Sequence, residues 1–389
     1  MVTRDSVATA GSAIGLVSLL FGWLTLKPNR LAAGTSLNLW ETTGWGGTAI
    51  IFSLWLICFV LSLRGKERRP AAALSITANL IIIIILILAG LIASQLRQEE
   101  TSLIRISLGS GIWLSLAGAY MVIFAARQRL PNWPVWRNLA SWTGLAGIGV
   151  LLITGWLNDL SILQEFAGRQ ERFVQELGQH IILFSGSVTA GALLGIPLGI
   201  WAVRSKRVAS PVFFITSITQ TMPSLALFGL LIAPLSALSF AFPVLREFGI
   251  RGVGATPAII AIIIYSLLPI VRNTFVSLTQ IDPAVTDAGL GMGMSRFQLF
   301  RRVQVPLAAP LVLEGVRTAS VQAVGNTAVA ALIGAGGLGW FIFQGLGQAA
   351  ADLIILGAIP IITLALVVDT LMRNIVRLST PKGLAGGNQ

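Results

Sequence analysis

Charged residues, cysteine and histidine are all scarce in this sequence. Only 11% of the 389 residues are charged and 55% are apolar, whereas soluble domains carry about 25% charged residues. Cys58 and His180 are each the only residue of their type. An intrachain disulfide is therefore excluded, and no cluster of soft ligands exists for zinc, haem or thiol chemistry. This composition is that of a membrane protein, and we assign no metal site.

Lysine is also rare, and its placement excludes a nucleotide-binding loop in this chain. A P-loop needs Gly-Lys followed by Ser or Thr, so that backbone N–H groups and the lysine hold the phosphates. Only Lys66 follows a glycine, and Glu67 comes next. The sequence also lacks a carboxylate pair or a His-supported nucleophile. We therefore expect no catalytic residue, no bound cofactor and no ATP hydrolysis by this polypeptide alone.

Long apolar stretches recur along the whole chain, close to the ~20 residues that a helix needs to cross a bilayer. We predict an all-α membrane protein with about ten transmembrane helices, whose ends are placed to within about four residues. The first stretch could be a signal peptide, but it lacks a small-x-small cleavage site. The predicted spans are 9–26, 45–63, 72–93, 106–126, 139–157, 181–203, 211–233, 256–277, 308–332 and 353–372.

The net charge of +12 orients the protein, because the basic residues lie in short loops between the predicted spans. With the N-terminus inside, 18 Lys and Arg residues face the cytoplasm and 8 face the opposite side. The positive-inside rule then places both termini in the cytoplasm. We expect membrane lipid rather than nucleic acid around this chain.

The longest predicted outer segment, 158–179, divides the chain. Within it, Ser161 to Gln179 places apolar residues at helical spacing among Gln, Glu and Arg, which predicts an amphipathic helix on the outer membrane surface. The predicted domains are a five-span N-terminal extension at 1–157, the outer segment, a core at 180–378 and a cytoplasmic tail at 379–389. The core spans contain more Gly, Pro and polar residues, so we place the function there.

The loop after the eighth predicted span has clear start and stop signals for a short helix. Asp282 is suited to an N-cap, and Pro283 follows it at the first helical position. Gly291 and Gly293 can end the helix in a left-handed conformation. These signals predict a helix of about two turns.

A second helix is predicted directly after this one. Ser295 can cap a helix over 296–303, which has apolar and basic faces, and Pro306 is expected to stop it. From the residues alone, a hairpin lying on the membrane surface explains this loop equally well.

The same loop resembles the EAA loop of binding-protein-dependent ABC importer permeases. The matching pattern is Asp287-Ala288-Gly289, Gly293, Ser295-Arg296-Phe297, Phe300-Arg301-Arg302-Val303 and Val305-Pro306-Leu307. The resemblance implies a coupling helix that sits in a groove of a separate ATPase subunit. The ATPase-coupling residues that it implies are Asp287, Ala288, Gly289, Gly293, Arg296, Phe300 and Pro306. Asp287 replaces the family's usual Glu, and Gly289 replaces its second Ala at a cost in helix propensity of about 1 kcal/mol.

Three further motifs look like the osmoprotectant branch of this family, which imports glycine betaine, choline and carnitine. They are Gly195-Ile196-Pro197-Leu198-Gly199, the run from Gln220 to Leu227, and Gly334-Ala335-Gly336-Gly337-Leu338-Gly339. Methionine importers share some of these glycine patterns, so a methionine permease stays an alternative. Five extra N-terminal spans resemble an unusually long subset of osmoprotectant permeases.

The resemblance also implies partners and a location. ATP-binding subunits would carry ATP and Mg, a second permease would be identical or similar to this chain, and an outer solute-binding protein would deliver the substrate. The complex would lie in the bacterial inner membrane.

Polar residues inside the core spans mark a candidate translocation path, because such groups need internal partners or a water-filled cavity. Helix–helix hydrogen bonding accounts for each of them equally well. The candidate path residues are Gln220, Thr221, Pro223, Ser224, Asn326 and Thr327. The glycine run from Gly334 to Gly339 is predicted to form a re-entrant bend or an outer turn.

An ion-coupled secondary carrier is the main rival interpretation. Such a carrier is expected to place ionisable groups near the bilayer midplane. Here Glu314 and Arg317 pair near the cytoplasmic end of the ninth span, and Asp369 lies near the end of the last. Their positions favour the importer.

Overall fold

The computed structural model describes residues 5–29, 32–64, 68–99, 104–130 and 134–381. They divide into two compact units. Unit 1 contains the described residues up to Gly168 together with Gln348–Asp352, and unit 2 contains Arg169–Gly347 and the described residues from Leu353 onward. Residues 382–389 of the predicted tail lie outside the described residues.

Helices dominate both units, as predicted. The elements of unit 1 are α1 (Ser6–Ser18), β1 (Leu24–Lys27), β2 (Thr35–Leu37), α2 (Leu39–Leu63), α3 (Arg68–Glu99), β3 (Arg105–Leu108), α4 (Ser110–Gln128), α5 (Pro134–Ile153) and α6 (Ser161–Ala167). The first helices that follow are α7 (Gln170–Arg204), α8 (Lys206–Thr221), α9 (Ser224–Ala241), α10 (Val244–Glu247) and α11 (Ala255–Thr279). The remaining helices are α12 (Pro283–Gly291), α13 (Arg296–Leu299), α14 (Val305–Ala330), α15 (Gly339–Gly347) and α16 (Ala351–Ser379).

Seven helices within the described ranges are long and apolar enough to cross a membrane. They are α2, α3, α4, α7, α9, α11 and α16.

The first predicted span, 9–26, is wrong. Helix α1 ends at Ser18 after 13 residues, and Leu24 to Lys27 form the central strand of a three-stranded antiparallel sheet with the order β2-β1-β3. Leu24 pairs with Leu37 on one side and with Leu108 on the other. These partners are distant in the chain, and a short apolar run does not by itself distinguish a strand from a helix. The fourth predicted span, 106–126, also starts later than predicted, because Arg105–Leu108 form β3 and α4 begins only at Ser110.

A buried amide joins α3 to α5 within unit 1. Asn79 donates to the carbonyl of Ala140 at 3.1 Å and accepts from the N–H of Gly144 at 2.6 Å. Those two backbone groups are four residues apart, so the Asn79 side chain spans one turn of α5. This arrangement satisfies a polar side chain inside a membrane helix.

Glycines hold the central helices of unit 2 in close contact. Gly191, Gly195 and Gly199 lie one turn apart on the same side of α7 and face α11. A Cβ at Gly195 would lie 2.9 Å from Cγ2 of Ile270. Helix α14 also approaches α11 closely, since a Cβ at Gly315 of α14 would lie 2.7 Å from the carbonyl oxygen of Pro269. Close backbone approach of this kind is a main source of helix association in membranes.

Two further predicted helices differ from the structure. The predicted span 211–233 is broken at Met222, where the backbone is extended and α9 begins after Pro223. The predicted amphipathic helix from Ser161 to Gln179 is also broken, because Arg169 leaves the helical conformation (φ −143°). Its second part belongs to the 35-residue helix α7 rather than to a separate surface helix.

Candidate coupling loop and transport path

The first helix of the loop, α12, starts as its sequence predicts. Asp282 is the N-cap, and its Oδ1 accepts a hydrogen bond from the N–H of Ala284 at 2.9 Å. Pro283 lies at the first helical position, where a missing N–H costs nothing.

The same helix ends in a Schellman motif at Gly293. The N–H of Met294 donates to the carbonyl of Gly289 at 3.2 Å, and the N–H of Gly293 donates to that of Leu290 at 2.9 Å. Gly293 has φ +82°, which is the left-handed conformation that this motif requires. Gly291, which was also expected to end the helix, is its last helical residue.

The second helix begins at a capping box and does not stop at Pro306. Ser295 Oγ accepts from the N–H of Gln298 at 3.3 Å, and Gln298 Oε1 accepts from the N–H of Ser295 at 2.8 Å. A π-helical turn over 300–304 follows α13 and runs into α14. In that turn the N–H of Val305 bonds five residues back to Phe300. The wider turn accommodates Pro306, which has no N–H, so the predicted helix end is wrong.

The loop presents an apolar surface. Met292 is 73% exposed and Phe297 is 69% exposed, and Leu290 beside them is also exposed. Asp287, Ala288 and Arg296 are exposed as well. Exposed apolar side chains grouped among polar residues on two short helices are characteristic of a protein contact surface.

Gly289 has a packing reason in this fold. It is buried, and a Cβ there would lie 2.6 Å from Cδ1 of Leu299. Leu299 is itself buried and comes from α13. The departure from the family's alanine therefore lets the two short helices of the loop pack closely.

Arg204, the last residue of α7, contacts the loop. Its guanidinium carbon lies 5.5 Å from the ring centroid of Phe300, which is a cation–π arrangement. Phe300 was predicted as a coupling residue, whereas no local signal in the sequence indicated Arg204 as its partner.

Gln220, a predicted path residue, stabilises a break between helices. Its Nε2 donates to the carbonyl of Tyr265 in α11 at 2.6 Å. That carbonyl has no helical partner, because Pro269 four residues later lacks an N–H. In return, the hydroxyl of Tyr265 donates to the carbonyl of Met222 at 2.7 Å. Pro269 thus leaves the Tyr265 carbonyl for the Gln220 side chain, and the extended backbone at Met222 leaves its own carbonyl for the Tyr265 hydroxyl.

The other predicted path residues do not form one cluster of exposed polar groups. Thr221 donates to the carbonyl of Ile218 at 2.7 Å, and the fully buried Thr327 donates to that of Ala323 at 2.8 Å. Ser224 is the first residue of α9, and Asn326 is partly buried in α14. A substrate-contacting role for any of these residues stays a prediction.

Removing the Tyr265 hydroxyl should destabilise the extended segment between α8 and α9. In Tyr265→Phe the Met222 carbonyl loses its donor, and we expect a loss of about 1 kcal/mol in the free energy of unfolding. Gln220→Leu should cost at least as much, because it leaves the Tyr265 carbonyl without a donor. Thermal unfolding of the purified chain measures both effects, with exposed Tyr120→Phe as the matched control. Equal stability of all three variants would contradict the assignment.

The charged groups of α14 and α16 form one network. Arg317 contacts Glu314 on its own helix, and its Nε lies 2.6 Å from Oδ1 of Asp369. Asp369 also contacts Arg373. The predicted Glu314–Arg317 pair is present, and the sequence did not indicate that Asp369 joins it. Such pairing lowers the cost of charge within a span.

Fold and loop together define a multi-pass membrane transport subunit, and comparison with known proteins specifies it. Residues 191–380 match the family model described as "Binding-protein-dependent transport system inner membrane component". Residues 3–163 match "ABC transporter permease YehY, N-terminal domain".

Characterised relatives agree with these matches. The chain is 40% identical over 206 residues to the osmoprotectant import permease protein OsmW of Salmonella typhimurium, covering 53% of this chain and 91% of OsmW. It is 37% identical over 209 residues to the glycine betaine/carnitine/choline permease protein OpuCB of Bacillus subtilis, covering 54% of this chain and 89% of OpuCB. Among solved structures, the MetNI methionine ABC transporter in an inward-facing conformation matches with 21% identity and a TM-score of 0.46, covering 55% of this chain and 98% of that chain.

The chain belongs to the permeases of binding-protein-dependent ABC importers. It is a transport component of the inner membrane rather than an enzyme. Membership implies an ATPase and a substrate-binding protein as partners.

Proposed function

We propose that this permease carries a small osmoprotectant, such as glycine betaine or choline, across the bacterial inner membrane. The observation that supports this proposal best is the 40% identity to OsmW, which extends over 91% of that relative. The relative OpuCB is a glycine betaine/carnitine/choline permease. A quaternary ammonium substrate would be recognised chiefly in the outer binding protein, where aromatic rings can surround the cation.

The loop from Asp282 to Pro306 is proposed as the site where the ATPase acts. Its exposed apolar residues Leu290, Met292 and Phe297 would enter a groove on the ATPase, and Arg296 adds positive charge beside them. The N-cap of α12, the Schellman end and the capping box fix the geometry of the two short helices. A rigid loop transmits displacement better than a flexible one, because less of the motion is absorbed locally.

The remaining arrangement follows from the family and from the charge count. Two ATPase subunits would bind ATP and Mg, so this chain needs no cofactor. A second permease, identical or similar, would complete the translocation path. The loop and the C-terminal end of α16 would lie in the cytoplasm, because basic residues concentrate on that side of the core, and the binding protein would dock on the opposite side. Without the first predicted span, the even span count no longer places the N-terminus on the same side.

ATP-driven uptake into proteoliposomes tests the proposed function. The assembly should be purified through a tag on this chain, reconstituted with its ATPase and binding protein, and given radiolabelled glycine betaine, choline or methionine. We expect accumulation of glycine betaine or choline that requires ATP and the binding protein, with no uptake from an imposed proton or sodium gradient alone. Uptake of methionine only would contradict the substrate, and uptake driven by an ion gradient would contradict the mechanism.

A further inference from the structure

A glycine turn in unit 2 is held by side chains from α7. The turn covers 334–338 and joins the 3₁₀ turn at the end of α14 to α15. Gly334, Gly336 and Gly337 have φ values of +79°, +76° and +91°, so the turn uses a backbone that other residues rarely adopt. The charge count places this turn on the outer side of the membrane.

Three consecutive side-chain contacts fix the turn to α7. The carboxylate of Glu176 accepts a hydrogen bond from the N–H of Gly337 at 2.5 Å. One turn later, Nδ1 of His180 accepts from the N–H of Leu338 at 3.2 Å. Between them, Gln179 donates to the carbonyl of Ala335 at 3.2 Å. We call this set of contacts, from Glu176, Gln179 and His180 to the turn, the outer clamp.

The two acceptors of the outer clamp are buried, and the contacts of His180 fix its tautomer. Glu176 is 3% exposed and His180 is fully buried. Since Nδ1 of His180 accepts a hydrogen bond, the ring is neutral with its proton on Nε2, which lies 3.1 Å from the carbonyl oxygen of Val324 in α14. His180 therefore bonds both to α14 and to the turn that follows it.

The glycines of the turn are needed for this close approach. A Cβ at Gly336 would lie 3.0 Å from Oε2 of Glu176, and a Cβ at Gly337 would lie 3.1 Å from Nδ1 of His180. Arg172 binds the other side of Glu176 at 2.6 Å, and its guanidinium stacks 4.7 Å from the ring centroid of Trp340. The Glu176 carboxylate and the His180 imidazole therefore pack closely against the glycine turn.

The outer clamp lies at one end of α14, and the candidate coupling loop lies at the other. From Arg296 to Ile333 the backbone is helical without interruption, through α13, the π turn, α14 and the 3₁₀ turn. A movement of the loop would therefore reach the glycine turn through a continuous helix. At that turn Glu176 and His180 join the moving helix to α7.

We propose that Glu176 and His180 are positioning residues that hold the outer glycine turn closed until ATP binding to the ATPase subunits, transmitted through the coupling loop, releases it. This proposal rests on the proposed role of the loop. It predicts that the turn opens in response to nucleotide in the wild-type complex and without nucleotide when the clamp is broken.

Thiol labelling in the reconstituted complex tests the opening directly. Cys58, the only native cysteine, is buried and can be replaced by serine. Ala335, which is 4% exposed, then becomes the labelling site as Ala335→Cys. With an impermeant maleimide added outside, we expect slow labelling without nucleotide and about tenfold faster labelling with ATP and vanadate. Glu176→Ala should give the fast rate in both conditions.

Matched variants separate positioning from general damage. Glu171→Gln changes an exposed glutamate on the same helix and should leave both labelling rates unchanged. Glu176→Gln and His180→Gln keep an acceptor for the turn, and each should retain part of the nucleotide response. ATP hydrolysed per glycine betaine imported should rise about tenfold in Glu176→Ala and stay unchanged in Glu171→Gln.

The labelling outcome is independent of the substrate. A nucleotide-insensitive rate in the wild type, or a Glu176→Ala variant that labels like the wild type, would overturn the clamp proposal. Failure of glycine betaine uptake with normal labelling would instead overturn the substrate assignment alone.

Discussion

Gly199→Val is expected to prevent the central helices of unit 2 from packing. A Cβ at Gly199 would lie 2.6 Å from Cβ of Thr274 and 3.0 Å from the carbonyl oxygen of Val271 in α11. Neither atom is the flexible end of a long side chain, so α7 and α11 would have to separate. We expect the free energy of unfolding to fall by about 3 kcal/mol or more. Most of the yield of folded protein should be lost as well.

The same helix provides a matched control. A Cβ at Gly186 of α7 would meet no atom within 4 Å. Gly186→Val should therefore change stability by less than about 1 kcal/mol. Thermal unfolding and the yield of monodisperse protein in detergent compare the two variants. Equal behaviour would show that glycine contacts do not determine the packing of α7 on α11.

Gly293→Val is expected to abolish ATP-driven transport while leaving the membrane helices folded. Gly293 has φ +82°, which a β-branched residue adopts only at a cost of about 2 kcal/mol, and an added Cβ would meet no atom within 4 Å. The substitution therefore acts on the loop conformation rather than on packing. Since α13 would leave its position beside α12, we expect uptake to fall by about tenfold or more, as measured in the proteoliposome assay.

Two variants control for size and position. Gly291→Val lies two residues away in an ordinary helical conformation and also meets no atom within 4 Å, so it should retain most of the uptake. Gly293→Asn adds a side chain of similar size that tolerates the left-handed conformation and should restore transport. If Gly293→Asn fails as completely as Gly293→Val, the effect is steric and the conformational explanation is wrong.

Local signals in the sequence were sufficient to predict the start and end of α12 and the cap of α13. Asp282, Gly293 and Ser295 act on backbone groups within a few residues, so their caps could be predicted from spacing alone. Pro306 was misjudged because a π turn relieves its missing N–H, and that turn depends on the continuation into α14.

Features that depend on distant partners could not be predicted from one sequence. The strand Leu24–Lys27 exists because two other strands pair with it, and its apolar residues alone read as the end of a span. Pro223 was a local signal for the break at Met222, but the hydrogen bond that satisfies the Met222 carbonyl there comes from Tyr265, some 43 residues away. The carbonyl that Pro269 leaves free was a signal for this contact, but nothing local identified Gln220 as its partner.

The most direct test of the central claim is a photo-cross-link from the loop to the ATPase. A photoreactive phenylalanine analogue at Phe297, which is 69% exposed, replaces one aromatic ring with another. Phe248, 77% exposed between α10 and α11, is the control position that the charge count places on the outer side. Irradiation of the assembled complex should join the ATPase to the chain at position 297 and not at 248. An ATPase that cross-links at neither position, in a complex that still hydrolyses ATP and imports substrate, would contradict the coupling-loop assignment.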